Sequence, residues 1–142
     1  SFAHACFNDP VVANDTHAFV TLRAIAGQTT CMIGTPQSNE MDVVNITDLA
    51  QPSLVKIYEM EEPKGLSLDE NHLFLCDGKG GFKVYDITDV SSIQLITKFT
   101  DINPFDVIAY NGIALVVCEE GIYQYDYHDI NNIHLISKIS IQ

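Results

Sequence analysis

Hydrophobic and polar residues along this chain fall into short runs that recur three times. The first member of each recurrence covers Asn8 to Thr21, Pro63 to Cys76 and Phe105 to Cys118. The second covers Met41 to Asp48, Phe82 to Asp89 and Ile122 to Asp129. Within the second copy, Gly65-Leu-Ser-Leu68 alternates, Asp69-Glu-Asn71 turns, and His72-Leu-Phe-Leu-Cys76 runs apolar. This is the period of β-strands joined by a tight turn. In the third copy the turn is Asn111-Gly112, a pair that tolerates positive φ at both central positions and so predicts a hairpin. Phe82 to Tyr85 and Ile122 to Tyr125 alternate again, and Leu54 to Tyr58, Gln94 to Phe99 and His134 to Ile139 supply a closing strand. No stretch has a helical period with caps.

Four antiparallel strands per unit, recurring about every 40 residues, predict β-propeller blades in an all-β fold. Asn45, Asp86 and Asp126 are equivalent and stand 41 and 40 residues apart. The blades are expected at about 8–58, 63–99 and 105–139, within a single propeller segment of 1–142. Three blades do not close a ring, which typically needs four to eight. A three-blade arc exposes two large apolar faces, so the remaining blades or a second copy of the chain are expected to complete it. We read the chain as a piece of a longer protein, and its start at Ser1-Phe-Ala-His4 as processed or truncated.

The first unit departs from the others. From Thr21 to Asn45 is 24 residues, where Cys76 to Asp86 is 10, so its hairpin carries an insertion of Ala24 to Glu40. Loops mounted on a rigid scaffold often bind, and this one is the best candidate; the alternative is a tolerated surface insertion.

The four cysteines divide into two kinds. Cys76 and Cys118 take the same place in two aligned repeats, too far apart for a disulfide, which needs Cα atoms within about 7 Å. They read as buried free thiols. Cys6 and Cys31 lie in irregular sequence, and a Cys6–Cys31 disulfide would pin the insertion against a strand start. That pairing implies an oxidising, extracytoplasmic setting; the alternative is two unpaired thiols in the cytoplasm.

The block ending in Asp-x-x-Asp resembles the LVIVD repeat of bacterial and archaeal surface proteins. It stands as Asp42-Val-Val-Asn-Ile-Thr-Asp48, Lys83-Val-Tyr-Asp-Ile-Thr-Asp89 and Tyr123-Gln-Tyr-Asp-Tyr-His-Asp129. The Leu-Val-Lys and Leu-Ile-Thr-Lys strands fit as well. The resemblance implies a secreted or lipid-anchored propeller, similar to cell-surface lipoproteins of Bacteroidota and associated with the outer membrane. No lipobox is present. The family carries no established reaction, so the resemblance implies no catalytic residues.

Charge narrows the candidates further. With 7 basic residues against 19 acidic ones the net charge is −12, which repels phosphate backbones and argues against nucleic acid. The Asp-x-x-Asp pairs look like metal ligands, but they recur just past a strand end, where carboxylates close Asx turns. The five histidines have no ligand spacing, and no nucleophile elbow or phosphate loop is present. Asp77-Gly-Lys-Gly-Gly81 reads as a turn between strands, and Tyr123, Tyr125 and Tyr127 as an intersheet ladder. No catalytic residue, metal ligand or cofactor is assigned.

Blade topology places the insertion, the second-to-third-strand hairpins and the interblade connections at one end of the ring. That end collects Glu59, Glu61, Glu62, Asp77, Asp101, Asp106, Glu119 and Glu120, opposed by Lys64, Lys79 and Arg23. The expectation is an acidic face that docks a protein partner or a cation-bearing ligand, in a non-catalytic binding, scaffold or accessory subunit of a cell-surface complex. A propeller enzyme whose channel site is completed by blades absent from this chain is the alternative. An intracellular hub of WD40 type is weakest, because the chain has no Trp.

Overall fold

In the computed structural model, residues 10–24 and 39–140 are described. They form three four-stranded antiparallel sheets, each in simple up-and-down order. The first contains Val11–Ala13 (β1), His17–Leu22 (β2), Glu40–Asn45 (β3) and Ser53–Glu59 (β4). The second contains Leu66–Asp69 (β5), His72–Cys76 (β6), Phe82–Asp86 (β7) and Gln94–Phe99 (β8). Pro104–Tyr110 (β9), Ile113–Cys118 (β10), Gly121–Asp126 (β11) and His134–Ser140 (β12) make the third. Three sequential meanders, side by side, are propeller blades.

The repetition extends to fine geometry. Each sheet shifts register at the same place between its third and fourth strands, at Val43/Val44, Val84/Tyr85 and Gln124/Tyr125. Both members of each pair, Asn45 standing for the first Asp in the first blade, close Asx turns. Asn45, Asp86 and Asp126 each accept the backbone N–H two residues on, at 2.9, 2.8 and 2.9 Å. Asp48, Asp89 and Asp129 do the same at 3.0 Å. The hydroxyl and backbone N–H of Thr88 hold the Asp86 carboxyl below its ordinary range, and Ser91 does so for Asp89. These carboxylates are turn-closing groups, as their recurrence predicts.

The first-to-second-strand turns of the second and third blades use left-handed backbone. Asn111 and Gly112 take φ of 51° and 85°, while the corresponding turn in the second blade places Glu70 at φ 52°. Glutamate has neither the short amide with which asparagine bonds its own backbone nor glycine's freedom from a Cβ, so this position is the less favoured of the two.

Two apolar interfaces join the blades, and period 2 explains how the middle blade serves both. Along β6, Leu73 and Leu75 face the first blade with Phe19, Met41 and Val43. Phe74 and Cys76 face the third, together with Phe82 and Val84 from β7. The tyrosine ladder packs between sheets as expected, with Tyr125 centred 5.3 Å from Phe82 and Tyr127 4.7 Å from Phe74. Hydroxyls tie the blades as well. Tyr58 donates to the carbonyl of Val90 at 2.8 Å, and Tyr127 to Asp69 at 2.6 Å.

One expectation changes. Cys76 and Cys118 are free and buried, but they are not equivalent. Measured from the paired ends His72↔Asp86 and Ile113↔Asp126, Cys76 sits opposite Phe82 and Cys118 opposite Gly121, one step further along the strand. A one-residue slip flips a side chain to the other face. Cys76 therefore points from the second blade and Cys118 from the third into one shared interface. Burial raises both thiols, that of Cys118 to about 11, which suits inert filler.

At the ends of the arc, apolar residues meet solvent on both outer blades: Val11, Leu54 and Ile57 on the first, beside buried Leu22 and Val44, and Ile108, Leu115 and Val117 on the third.

Candidate partner-binding face

The end of the arc carrying the interblade connections is organised by Asp77. Its side chain is fully buried, at 0% exposure. One carboxylate oxygen accepts the backbone N–H groups of Glu61 and Glu62, at 3.1 and 2.8 Å. The other accepts Lys83 Nζ at 2.7 Å. Asp77 thus fastens the connector between the first two blades onto the second sheet, and it is not a surface group. Its expected place in a docking face is corrected on that ground. The turn that follows, Gly78–Gly80, is one short 3-10 turn, and Gly81 leaves it at φ 91°. A Cβ at Gly81 would lie 2.3 Å from the carbonyl oxygen of Phe99, so the close approach of the neighbouring strand requires glycine.

The base of the insertion is fixed to the same connector. Asn39 Oδ1 accepts the Ala24 N–H at 2.9 Å, and its amide donates to the carbonyl of Glu61 at 2.7 Å. The Met60 N–H closes the arrangement on the Asn39 carbonyl at 2.9 Å. No local pattern marks Asn39, because its three bonds are made across 15 to 22 residues of chain separation. Residues 25–38 of the insertion lie outside the described residues, and so do Cys6 and Cys31.

The remaining acids divide by engagement. Glu62 pairs with Lys64 at 3.2 Å; burial acts to raise its carboxyl, but the Lys64 hydrogen bond and charge outweigh that and hold it lowered. Asp106 is exposed, accepts its neighbour Val107 N–H at 2.9 Å, and lies against Gly65. Glu59, Glu61, Asp101, Glu119 and Glu120 project into solvent. The basic groups that could neutralise this end are largely committed. Lys83 is spent on Asp77, and Lys64 is held by Glu62 and lies 4.5 Å above the Phe105 ring. A shallow cleft of about 340 Å³ opens here, lined by Arg23, Lys64, Phe105 and Asp106. Of the acids expected at this end, Asp77 alone is fully buried, while Glu59, Glu61, Asp101, Asp106, Glu119 and Glu120 are exposed.

The opposite end holds a second cleft of about 360 Å³ between the second and third blades, lined by Asp69, Glu70, His72, Tyr127 and His128. Sequence reading passed over it because these residues come from turns of two different repeats. Among the described residues, no group of three or more His, Cys, Asp or Glu is placed to hold a metal ion.

Comparison with known proteins follows the geometry. The LVIVD repeat model matches residues 36–60 and 63–101. The third sheet lies beyond that match but repeats the same construction. Among solved structures, a functionally unknown protein from Desulfotomaculum acetoxidans DSM 771 is similar with a TM-score of 0.70 and 10% identity, covering 94% of this chain and 42% of its own. A chain of a nidogen/laminin complex gives a TM-score of 0.57 at 11% identity, covering 89% of this chain and 43% of its own. The N-terminal domain of Nup159 gives 0.54 at 11%, covering 92% of this chain and 30% of its own. Likeness at such identity shows the fold alone, and the chain spans less than half the length of each. No curated protein matches.

Proposed function

We propose that this chain, which carries LVIVD repeats over residues 36–60 and 63–101, is a non-catalytic binding or scaffold segment of an extracytoplasmic propeller, serving a protein complex at the cell surface or outer membrane. The observation that carries this reading is the acidic connection end. Glu59, Glu61, Glu119 and Glu120 are exposed, and Asp77 and Asn39 fasten the connector that carries Glu61. A preorganised surface of one charge sign attracts a complementary partner and raises its rate of encounter. The matching partner is a protein presenting Lys and Arg.

Charge reversal at Glu59, Glu61, Glu119 and Glu120 to Lys, in the full-length protein, tests it. Those side chains are exposed, so the fold is expected to stay intact while a basic partner is lost from affinity purification. Retention of every partner at moderate salt would overturn the proposal. Glu62 and Asp77 are left unchanged because both are structurally engaged.

The compartment is tested by thiol counting. With Cys6 joined to Cys31, the native full-length protein should show Cys76 and Cys118 as free thiols under denaturing, non-reducing conditions, and the other two only after reduction. Reactivity of all four of these cysteines without reductant argues against an extracytoplasmic setting.

A further inference from the structure

The end of the first blade opposite the acidic connectors carries a chemistry that the other two blades lack. We infer that Asn14 and Asn45 are acceptors for an N-linked sugar, transferred from a lipid-phosphate donor by a membrane enzyme. Each stands two residues before a threonine, in Asn14-Asp-Thr16 and Asn45-Ile-Thr47, the Asn-x-Thr spacing at which such transferases act. No other asparagine in the chain has Ser or Thr at that distance.

The fold brings the two acceptor triplets together. Asn14 and Thr16 lie in the turn between β1 and β2, while Asn45 ends β3 opposite His17. The Ile46 N–H donates to the Thr16 carbonyl at 2.9 Å, so the two turns are joined backbone to backbone. Asn14, Thr16 and Thr47 are exposed and Asn45 is half-buried. A bulky glycan needs such a surface turn, because it has no place between packed sheets.

The local geometry presents the reactive atom. Asn14 Oδ1 accepts the Thr16 N–H at 3.0 Å, the Thr16 hydroxyl at 3.2 Å and the His17 N–H at 2.8 Å. Asn45 Oδ1 accepts the Thr47 N–H at 2.9 Å and its hydroxyl at 2.6 Å. These donors fix which end of each amide is oxygen, and among the described residues neither Nδ2 has a hydrogen-bond partner. Negative charge building on Oδ1 is stabilised by the same donors, which eases loss of a proton from Nδ2. In the transfer, Nδ2 bonds to the anomeric carbon of the sugar as the bond from that carbon to the phosphate oxygen breaks. The lipid phosphate leaves with the electron pair, and one Nδ2 proton passes to a base of the transferase. Oδ1 and its donors are unchanged, so both turns survive the modification. Each Asn–Thr contact spans two residues of sequence, so it is available before the blade folds.

The turn itself does not require an amide. Asp86 takes the place of Asn45 in the second blade and closes the same turn on Thr88, with the hydroxyl again at 2.6 Å. A carboxylate serves that turn equally well and has no nitrogen to receive a sugar.

Transfer of this kind rests on the extracytoplasmic reading proposed above, since N-linked acceptors are surface turns of secreted proteins. Glycopeptide mass spectrometry of the full-length protein from its native cells tests it. Peptides spanning Asn14 and Asn45 should each carry a sugar mass. Asn45→Asp, which copies Asp86, should lose the sugar at that position and keep the parent's melting temperature. Thr16→Ala should lose the sugar on Asn14, and Thr47→Ser should retain the one on Asn45. Bare peptides at both asparagines would overturn the inference, as would sugar that persists on Asn14 in Thr16→Ala. Labelling intact cells with a membrane-impermeant biotin reagent, on the same preparation, reads the compartment separately. A protein that is labelled but bare sinks the modification alone. One that is neither labelled nor modified sinks the extracytoplasmic reading with it.

Discussion

Replacing Asp77 with alanine should destabilise the protein by about 3 kcal/mol, measured by urea unfolding. The carboxylate is fully buried and is the acceptor for Lys83 and for two backbone N–H groups. Removing one partner of a buried ion pair usually costs about 3–5 kcal/mol, because the other charge is left uncompensated. Lys83 retains 15% side-chain exposure and can turn towards water, which places the loss at the low end. The N–H groups of Glu61 and Glu62 belong to an exposed connector and can rehydrate, so they add less than a fully buried donor would. Asp77→Asn keeps an acceptor for the connector but loses the charge on the Lys83 side, and should fall between alanine and the parent. The sharper measure is a double-mutant cycle with Lys83→Met. The two changes together should cost less than their separate costs added, since the double variant buries no unpaired charge. Additive losses, or an Asp77→Ala cost below about 1 kcal/mol, would show that the buried pair is not what fastens the connector.

Asp77 also marks where the sequence was readable and where it was not. Strand period, turn chemistry and the spacing of Asn45, Asp86 and Asp126 are local, and all three report on structure within one blade. The Asx turns and the tyrosine ladder followed from them directly. What lies between blades was less legible. Asp77 was grouped with surface acids because its neighbours Gly78 and Lys79 read as an exposed turn, yet its partners come from the connector 15 and 16 residues earlier. No short-range pattern encodes that contact.

The two cysteines failed for a related reason. Aligning the repeats on a shared Cys ignores that the hairpin after Cys76 is longer than the one after Cys118, as their pairings with Phe82 and Gly121 show. The alignment slipped by one residue, and in a strand one residue exchanges the two faces. Asp77 is the true counterpart of Cys118. A buried charge and a buried thiol occupy one blade position, so the repeat conserves geometry there and not chemistry.

The largest single packing loss should come from Phe82→Ala, at about 3–5 kcal/mol. Phe82 is fully buried in the contact between the second and third blades, with ring centroids 6.3 Å from Phe74, 6.0 Å from Phe99 and 5.3 Å from Tyr125. Truncation removes the transfer free energy of the ring and leaves a cavity walled by those rings and by Val84. Their positions are set by strands, so the wall cannot close over the gap. Phe82→Leu, which fills most of that volume, should cost about 1 kcal/mol. Stacked repeats draw stability from nearest-neighbour interfaces, so the damage should fall on the coupling between blades before it reaches either sheet. The chain has no Trp, and Tyr123, Tyr125 and Tyr127 all lie in the third blade at this contact. Three of the six tyrosines thus sit at this contact, and with Tyr58 and Tyr85 at the other interface changed to Phe, tyrosine fluorescence reports on the affected side. In Phe82→Ala it should lose its native signal at lower urea than far-ultraviolet circular dichroism loses strand content, whereas the two transitions coincide in the parent. Leu95, exposed on the outer strand of the same blade, is the control, and its change to alanine should cost well under 1 kcal/mol. Coincident transitions in Phe82→Ala with a loss no greater than that of Leu95→Ala would show that the aromatic cluster does not hold the second and third blades together.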